Sequence, residues 1–314
     1  MRNYVIRRLL FLVVVVWMVS ALVFVLIRVI PGDVAALILG EMGTEESHAQ
    51  LKHQLGYDRP LIVQYGDWMR GVFQGDLGES LWTGKSTLSE LKRRIPVTLE
   101  LAVMSLVIAW LIGIPAGVLS AIRQDSPTDY AARLIAIMGL AMPGFWIAIL
   151  MLTFSTKWFH WAPPLQYHSF FDSPSKNLQQ FIMPAFCNGL IEAAIGCRMT
   201  RSCLLEVLRQ DYIRTAWAKG LRERLILSRH ALKNALIPTV TIMGTQITVL
   251  LGGAIIMEQI FSLPGVGRLT FESIMQRDYP QLQTNVLFLS TLLVSMNFLV
   301  DLSYAWLDPR IRYK

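Results

Sequence analysis

The sequence predicts an all-α membrane protein with six transmembrane helices, and two observations support this fold class. The chain of 314 residues is 54% hydrophobic and only 16% charged, whereas soluble domains carry about 25% charged residues. Its apolar residues gather into runs of about 20, the length that an α-helix needs to cross a hydrocarbon core. Backbone polar groups in lipid must be paired within their own segment, so these runs are expected to be helices.

Six apolar runs are the predicted spans. Five of them contain no charged residue: Leu9–Ile27, Leu101–Ile122, Leu134–Thr156, Ala235–Met257 and Leu282–Val300. The remaining run, Leu178–Cys197, is interrupted by Glu192. Arginines precede the first run as they would in a signal peptide. The run is longer than the roughly 7–15 apolar residues of a signal peptide, so we expect an uncleaved first helix.

The basic residues predict that both termini are cytoplasmic, because lysine and arginine mark the cytoplasmic side of membrane proteins. They cluster at the N-terminus, after the second run, between the fourth and fifth runs, and at the C-terminus. With six spans, all four clusters fall on one side. The net charge of +7 therefore follows topology and does not indicate nucleic-acid binding. The most basic connection holds Arg198, Arg201, Arg209, Arg214, Lys219, Arg222, Arg224, Arg229 and Lys233.

Three regions are expected from this layout. Residues 1–30 form the N-terminal segment and the first span. Residues 31–96 form an outer, periplasmic segment with short helices. Residues 97–314 form a five-helix core with a cytoplasmic loop at about 201–234.

The sequence predicts no catalytic set and no metal site. His48 and His53 are five residues apart, whereas ligands on one helical face are usually three or four apart. The three cysteines lack metal-ligand spacing and are predicted to be small buried hydrophobes. Glu192 and Glu258 lie within or at the end of spans, where acidic side chains are costly. They are candidates for lining a transport pathway, and for Glu192 a buried pair is the alternative.

A compact knob outside the bilayer is predicted within the basic connection. Asp211 is expected to cap a short helix, and Gly220 to end it in a left-handed turn. A second helix is expected to continue to Asn234, before Pro238 enters the fifth span.

This connection resembles the coupling loop of permease subunits in ATP-binding cassette importers. The family pattern is Glu-Ala-Ala, three residues, Gly, and later Ile-x-Leu-Pro. Gly220 and Pro238 match it, but Arg214-Thr215-Ala216 stands where Glu-Ala-Ala is expected. A closer resemblance, to the dipeptide, oligopeptide and nickel permease family, extends along the whole chain. Its motifs here include Ile30-Pro31-Gly32-Asp33, Leu55-Gly56-Tyr57-Asp58-Arg59-Pro60, Gly75-Asp76-Leu77-Gly78, Asp211-Tyr212-Ile213-Arg214-Thr215-Ala216, Pro264-Gly265-Val266-Gly267-Arg268, Arg277-Asp278-Tyr279-Pro280 and Asp308-Pro309-Arg310-Ile311-Arg312.

The resemblance implies an importer type I permease fold in the bacterial inner membrane. Two permease subunits would form the pathway, two cytoplasmic ATPase subunits would each receive a coupling helix, and an outer binding protein would deliver substrate. ATP and Mg would be bound by the ATPase subunits and no cofactor by this chain, whose sequence has no Gly-x-x-x-x-Gly-Lys-Ser/Thr loop. The residues expected at the ATPase contact are Tyr212, Ile213, Thr215, Ala216, Lys219, Gly220 and Leu221.

Several alternatives stay open at this point. The knob could instead be a basic loop held by anionic lipid headgroups. The expected substrates are peptides, but relatives with this layout also import nickel, other small chelates or glutathione. A proton-coupled secondary transporter is the alternative from another class. Such transporters usually show internal repeats, and none is visible in this sequence.

Overall fold

The structure is a computed structural model that describes residues 2–29, 44, 46–47, 50, 53 and 58–307. Within these ranges the secondary structure is helical, apart from a single isolated bridge between Glu79 and Ser86. The predicted motifs at 30–33, 55–57 and 308–312, together with His48, lie outside the described residues. The all-α fold class is therefore confirmed for the part of the chain that the structure describes.

Twelve α-helices and one π-helix make up the described ranges. They are α1 (Arg2–Val29), α2 (Leu61–Gln74), α3 (Thr87–Ile122), α4 (Pro127–Ala141), α5 (Gly144–Phe159), α6 (Pro174–Leu208), α7 (Asp211–Ala218), α8 (Glu223–Leu225), the π-helix (Ile226–Ala231), α9 (Leu232–Thr245), α10 (Ile247–Ile260), α11 (Val266–Met275) and α12 (Tyr279–Leu307).

Four of these helices are long and apolar enough to cross a membrane by themselves: α1, α3, α6 and α12. Two bent pairs, α4 with α5 and α8–α9 with α10, bring the number of candidate spans to six if each pair counts as one. This agrees with the predicted count, but two of the predicted spans are not continuous helices.

The predicted span Leu134–Thr156 is wrong as a single helix. It is broken between α4 and α5, whose axes differ by 102°. The cause is Pro143, because a proline restricts the residue before it to extended backbone. Met142 has φ −96° and ψ 131° and ends α4, and Pro143 then precedes α5.

The predicted span Ala235–Met257 is also divided. The pair bends by 44° at Gln246, between α9 and α10. Pro238 lies inside α9 and does not end it. The structure gives no single side chain that accounts for the break at Gln246.

The chain divides into two compact units. The larger consists of Pro96–Arg268 together with the chain from Met296, and the smaller of Arg2–Ile95 with Leu269–Ser295. In the larger unit, α6 is the central helix, and α4, α5, α9 and α10 all pack against it. Cys187 and Cys197 of α6 are buried, as predicted.

Glycines allow α3 and α6 to approach closely within the larger unit. A Cβ atom at Gly113 would lie 2.6 Å from the carbonyl oxygen of Ala193, and one at Gly117 would lie 2.5 Å from that of Cys197. From the other helix, a Cβ at Gly189 would lie 2.5 Å from the oxygen of Ser105. Small residues at such crossings are the usual means by which membrane helices pack backbone to backbone.

The smaller unit is held together by buried polar contacts. Ser80 Oγ donates to a carboxylate oxygen of Asp278 at 2.5 Å, and Thr284 donates to Thr87 at 3.0 Å between hydroxyls. Ser20 and Tyr65 share a hydrogen bond of 2.8 Å between α1 and α2. Asp278 belongs to the motif Arg277–Pro280, so this motif has a structural role in fixing the segment around Ser80.

Candidate functional site

The knob between α6 and α9 is built on one short helix with two distinct faces. Ile213 and Ala216 of α7 are 0% and 7% exposed and point into the protein. Asp211, Tyr212, Thr215 and the last two residues of the helix are exposed. An amphipathic helix of eight residues therefore covers its own small core and presents a polar face outward.

This small core joins the knob to three helices of the larger unit. Ile213 and Ala216 pack with residues of α3, α6 and α9, and Leu221 packs against the same cluster. The buried members from those helices and the π-helix are Ala121, Leu204, Ile226, Ala231 and Ala235. The short helix therefore shares one buried cluster with residues of these three helices and of the π-helix.

Gly220 ends the knob helix in the predicted left-handed turn. Its φ is +74°, a conformation that costs most L side chains energy and that glycine adopts freely. The Gly220 amide donates to the carbonyl oxygen of Trp217 at 2.9 Å, and the Leu221 amide donates to that of Ala216 at 3.4 Å. The turn directs the chain back toward the core, where Leu221 is half-buried.

Tyr212 on the outer face of the knob is hydrogen-bonded to α9, the helix that follows the knob. Its hydroxyl accepts a hydrogen bond of 2.8 Å from the Asn234 amide, which also donates to the carbonyl oxygen of His230 at 3.2 Å. Tyr212 is nevertheless 43% exposed, so its ring is available to a partner.

Two expectations about the knob need correction. Asp211 is not the cap but the first residue of α7, and Gln210 holds the capping position. The second helix does not end at Asn234, because α9 runs through Asn234 and Pro238 without interruption. Asp211 still places a negative charge at the positive end of the helix dipole.

A π-helix connects the knob to α9, and no sequence pattern predicted it. Residues Ile226–Ala231 form this segment, with Ile226 and Ala231 buried in the core under the knob. π-Helices are rare, occur mostly as single turns within α-helices, and are frequent at functional sites.

The predicted contact residues therefore fall into two groups. Tyr212, Thr215, Lys219 and Gly220 lie on the exposed surface. Ile213 and Ala216 are buried and support the helix from below, and half-buried Leu221 lies at the edge of the same core. Trp217 was missed by the sequence analysis although it lies on the same helix and is 47% exposed.

Glu258, proposed from sequence as a pathway residue, is fully buried. One of its carboxylate oxygens accepts from the Thr98 hydroxyl at 2.6 Å and the other from the Arg268 amide at 2.9 Å. The Thr98 oxygen in turn accepts from the Val266 amide at 2.8 Å. These bonds pair amides of the first turn of α11, which have no partner within their own helix. They give Glu258 a structural role, and its proposed place along the pathway stays a prediction.

Glu192 lies in the middle of α6 and is 3% exposed. Among the described residues, no partner is found for its Oε2 atom. A buried pair, the alternative raised from sequence, is therefore not seen for this oxygen in the described part of the chain. Its proposed place along the pathway stays a prediction.

The ion pair that Asp129 forms within the larger unit was not predicted. Arg201 of α6 donates from Nε and Nη2 to the two carboxylate oxygens of Asp129 of α4, at 2.8 and 2.9 Å. The Ser120 hydroxyl of α3 also donates to Asp129, and so does the Asp125 amide at 3.0 Å. The fully buried Asp129 carboxylate of α4 therefore connects α4 to α3 and α6, close to the point where α6 leads into the knob.

Candidate membrane spans gathered around α6, with a basic knob on one connection, define a multi-pass membrane transport subunit. Residues 113–313 match the family described as "Binding-protein-dependent transport system inner membrane component", and residues 1–102 match its N-terminal counterpart. The chain belongs to this family of ATP-binding cassette transporter permeases and is a multi-pass protein of the bacterial inner membrane. A permease subunit is not itself a catalytic enzyme.

Curated relatives are similar over their full length. The dipeptide transport system permease protein DppB of Alkalihalophilus pseudofirmus is 40% identical, with 100% of both chains covered. The di/tripeptide transport system permease protein DppB of Pseudomonas aeruginosa is 38% identical, again over 100% of both chains. The glutathione transport system permease protein GsiC of Escherichia coli is 37% identical, with the same coverage.

Solved structures of importers share the fold. A chain of the inward-facing MetNI methionine ABC transporter superposes with a TM-score of 0.56 at 19% identity, covering 69% of this chain and 96% of that one. A chain of an amino acid ABC transporter solved with histidines gives a TM-score of 0.54 at 13% identity, covering 68% and 92%. The predicted importer permease fold is therefore confirmed.

Proposed function

We propose that this chain, with a second permease subunit, forms the path by which an importer moves peptides of a few residues into the cytoplasm. The observation that supports the substrate class is the agreement among relatives: two with full coverage of both chains are named for dipeptides or tripeptides. Membership of the binding-protein-dependent family of ATP-binding cassette permeases supports a partner set of two ATPase subunits and an outer binding protein, with ATP and Mg held by the ATPase subunits.

The basic connection supports a cytoplasmic position for the knob and for both termini. Arg214, Lys219 and Arg222 are exposed on or beside it, and such residues favour the cytoplasmic side. We therefore assign the exposed face of α7 to the groove of an ATPase subunit.

The knob's core supports a mechanical role for α7. ATP binding would draw the ATPase subunits together, and each would carry the knob seated on it. Because Ile213 and Ala216 share a buried cluster with residues of α3, α6 and α9, movement of the knob would be passed to these helices. Such coupling requires that the helices have two packing arrangements, and that ATP bound to the ATPase subunits shifts the equilibrium between them.

Site-specific crosslinking tests the contact. A photoreactive amino acid replaces Lys219 in the assembled transporter, and a matched variant carries it at Thr83, which is exposed in the smaller unit. We expect a crosslink to the ATPase subunit from position 219 and none from position 83. The proposal fails if position 219 gives no ATPase crosslink while the complex stays intact.

Glutathione is a second candidate substrate, because a 37% identical relative carries that name. Glutathione is itself a tripeptide, so the two readings differ in specificity and not in mechanism. Calorimetric titration of the cognate binding protein with dipeptides, tripeptides and glutathione separates them. A nickel chelate or a proton-coupled mechanism receives no support from the relatives named here.

A further inference from the structure

A basic cavity of about 600 Å³ lies between α4 and α6 and is not used by the proposed coupling. Three arginines line it: Arg133 of α4, and Arg198 and Arg201 of α6. Ile137 and Ile195 lie in the same wall. The cavity therefore combines concentrated positive charge with apolar surface.

The charge in this cavity is only partly compensated. Asp129 lies behind the lining, but its two carboxylate oxygens already accept four hydrogen bonds. Two come from Nε and Nη2 of Arg201, one from the Ser120 hydroxyl and one from the Asp125 amide. Arg133 reaches Asp129 only through a longer contact of 3.4 Å from Nη2. The carboxylates of Asp129 and Asp125 both act on Arg201, so two negative charges face the three guanidinium groups.

Two of the arginines retain unused donors. Nε of Arg133 is buried and makes no hydrogen bond to the described residues, and Nη2 makes only the 3.4 Å ion-pair contact with Asp129. The guanidinium carbon of Arg133 lies 4.5 Å from the centre of the Tyr130 ring, which fixes the group in place. Arg198 is exposed and forms no ion pair within the described ranges. Buried donors without an acceptor are costly, so an anion at this position is favourable.

The apolar wall indicates which kind of anion fits. Ile137 is 57% exposed although it lies on a helix of a candidate span. Its neighbours on α4, Leu134 and Met138, are 59% and 49% exposed. Such a face lies against acyl chains in a membrane, whereas a soluble phosphate would gain nothing from it. Arg198 and Arg201 lie in the last third of α6, which leads to the knob, and Arg133 of α4 lines the same cavity; with the knob placed in the cytoplasm, headgroups of the cytoplasmic leaflet are expected near this level.

We propose that the cavity binds the phosphate of an anionic phospholipid of the cytoplasmic leaflet, between Arg133 and Arg198, with an acyl chain along Ile137. Basic pockets between transmembrane helices on this side are suited to such headgroups. The lipid would lie beside the Asp129–Arg201 pair at the base of the knob and stabilise the junction of α4 with α6.

Native mass spectrometry of the assembled transporter tests this inference. The complex is titrated with phosphatidylglycerol, with phosphatidylcholine as the neutral control and inorganic phosphate as a competitor. The double variant Arg133→Gln/Arg198→Gln removes the free donors and leaves Arg201 untouched. Arg123→Gln/Arg209→Gln is the matched control, because both residues are exposed and neither lines the cavity.

We expect phosphatidylglycerol to bind the double variant roughly thirtyfold more weakly than the native complex, and the control variant to match the native complex. Ser202→Trp, which keeps every charge and fills the cavity, should also abolish binding. Together the two variants separate loss of the site from loss of folding.

Three outcomes would overturn the proposal. Equal phosphatidylglycerol binding by the double variant and its control would show that the lipid does not bind in this cavity. Displacement of the lipid by millimolar inorganic phosphate would show that the cavity takes a soluble anion. Loss of a partner subunit from the double variant, with lipid binding unchanged, would assign the arginines to a protein interface.

Discussion

Gly220 offers the sharpest test of whether the shape of the knob transmits movement. Its φ of +74° lies in the left-handed region, which costs an L residue about 1–2 kcal/mol. A Cβ atom at Gly220 would meet no atom within 4 Å, so no packing clash adds to that strain. For β-branched valine we take the upper value of ~2 kcal/mol, which disfavours the native turn about thirtyfold relative to alternatives.

The assay is uptake of labelled peptide per ATP hydrolysed, in vesicles that contain the complete transporter. Gly220→Val should lower this ratio strongly, because ATPase closure no longer moves a correctly formed knob. Gly220→Asn is the matched variant, since asparagine is of similar bulk and tolerates the left-handed region. We expect it to retain most of the coupling.

Two results would refute this reasoning. Native coupling in the Gly220→Val variant would show that the turn is not needed. Equal loss in the valine and asparagine variants would show that side-chain bulk at a contact surface, and not backbone conformation, is what matters at this position.

Three further predictions concern the support of the knob and of α6. Asp129→Asn leaves the partly buried guanidinium of Arg201 without its counter-charge. It should cost ~3 kcal/mol, the lower end for a broken buried pair, seen as a lower melting temperature in detergent; an unchanged melting temperature would contradict it. Gly117→Ala drives a Cβ atom to 2.5 Å from a carbonyl oxygen of α6 and should reduce the yield of monodisperse protein, whereas Gly244→Ala, with open space around it, should not. Ile213→Ala should destabilise the protein by ~2–5 kcal/mol. Trp217→Ala should leave the melting temperature unchanged and weaken retention of the ATPase subunits on size-exclusion chromatography. The reverse pattern would show that Trp217 supports the fold and Ile213 contacts the ATPase.

Much of the fold could be predicted from the sequence because apolar run length is a local property. Runs of about 20 apolar residues identify spans without any knowledge of their neighbours. The break at Pro143 was present in the sequence as well, but prolines inside membrane helices often only kink them. Pro238 illustrates this, since α9 continues through it. Composition does not distinguish the two cases.

The buried polar contacts could not be predicted, because their partners are far apart in the chain. Asp129 and Arg201 are 72 residues apart, and Thr98 and Glu258 are 160 apart. Each looks like an isolated polar residue until the helices are packed. For the same reason the hydrogen bonds of Glu258 were not foreseen, and its place along the pathway, proposed from its position at the end of a span, stays a prediction.

In the knob, the turn at Gly220 was predicted correctly and the two faces of α7 were not. The turn depends on one residue with a distinctive conformational preference. The faces depend on what lies beneath the helix, namely the small core that buries Ile213 and Ala216. On a helical projection Trp217 lies one turn after Ile213, at the flank of the buried face, so the sequence pattern alone did not mark it as exposed.

The central claim is that this chain is a conduit moved by ATPase subunits through its knob. The most direct measurement is accumulation of a labelled tripeptide in vesicles that contain both permease subunits and the binding protein, with and without the ATPase subunits. The account predicts accumulation only when the ATPase subunits and ATP are present, and none in response to a proton gradient alone. Accumulation by the permease subunits without ATPase, driven by that gradient, would contradict it.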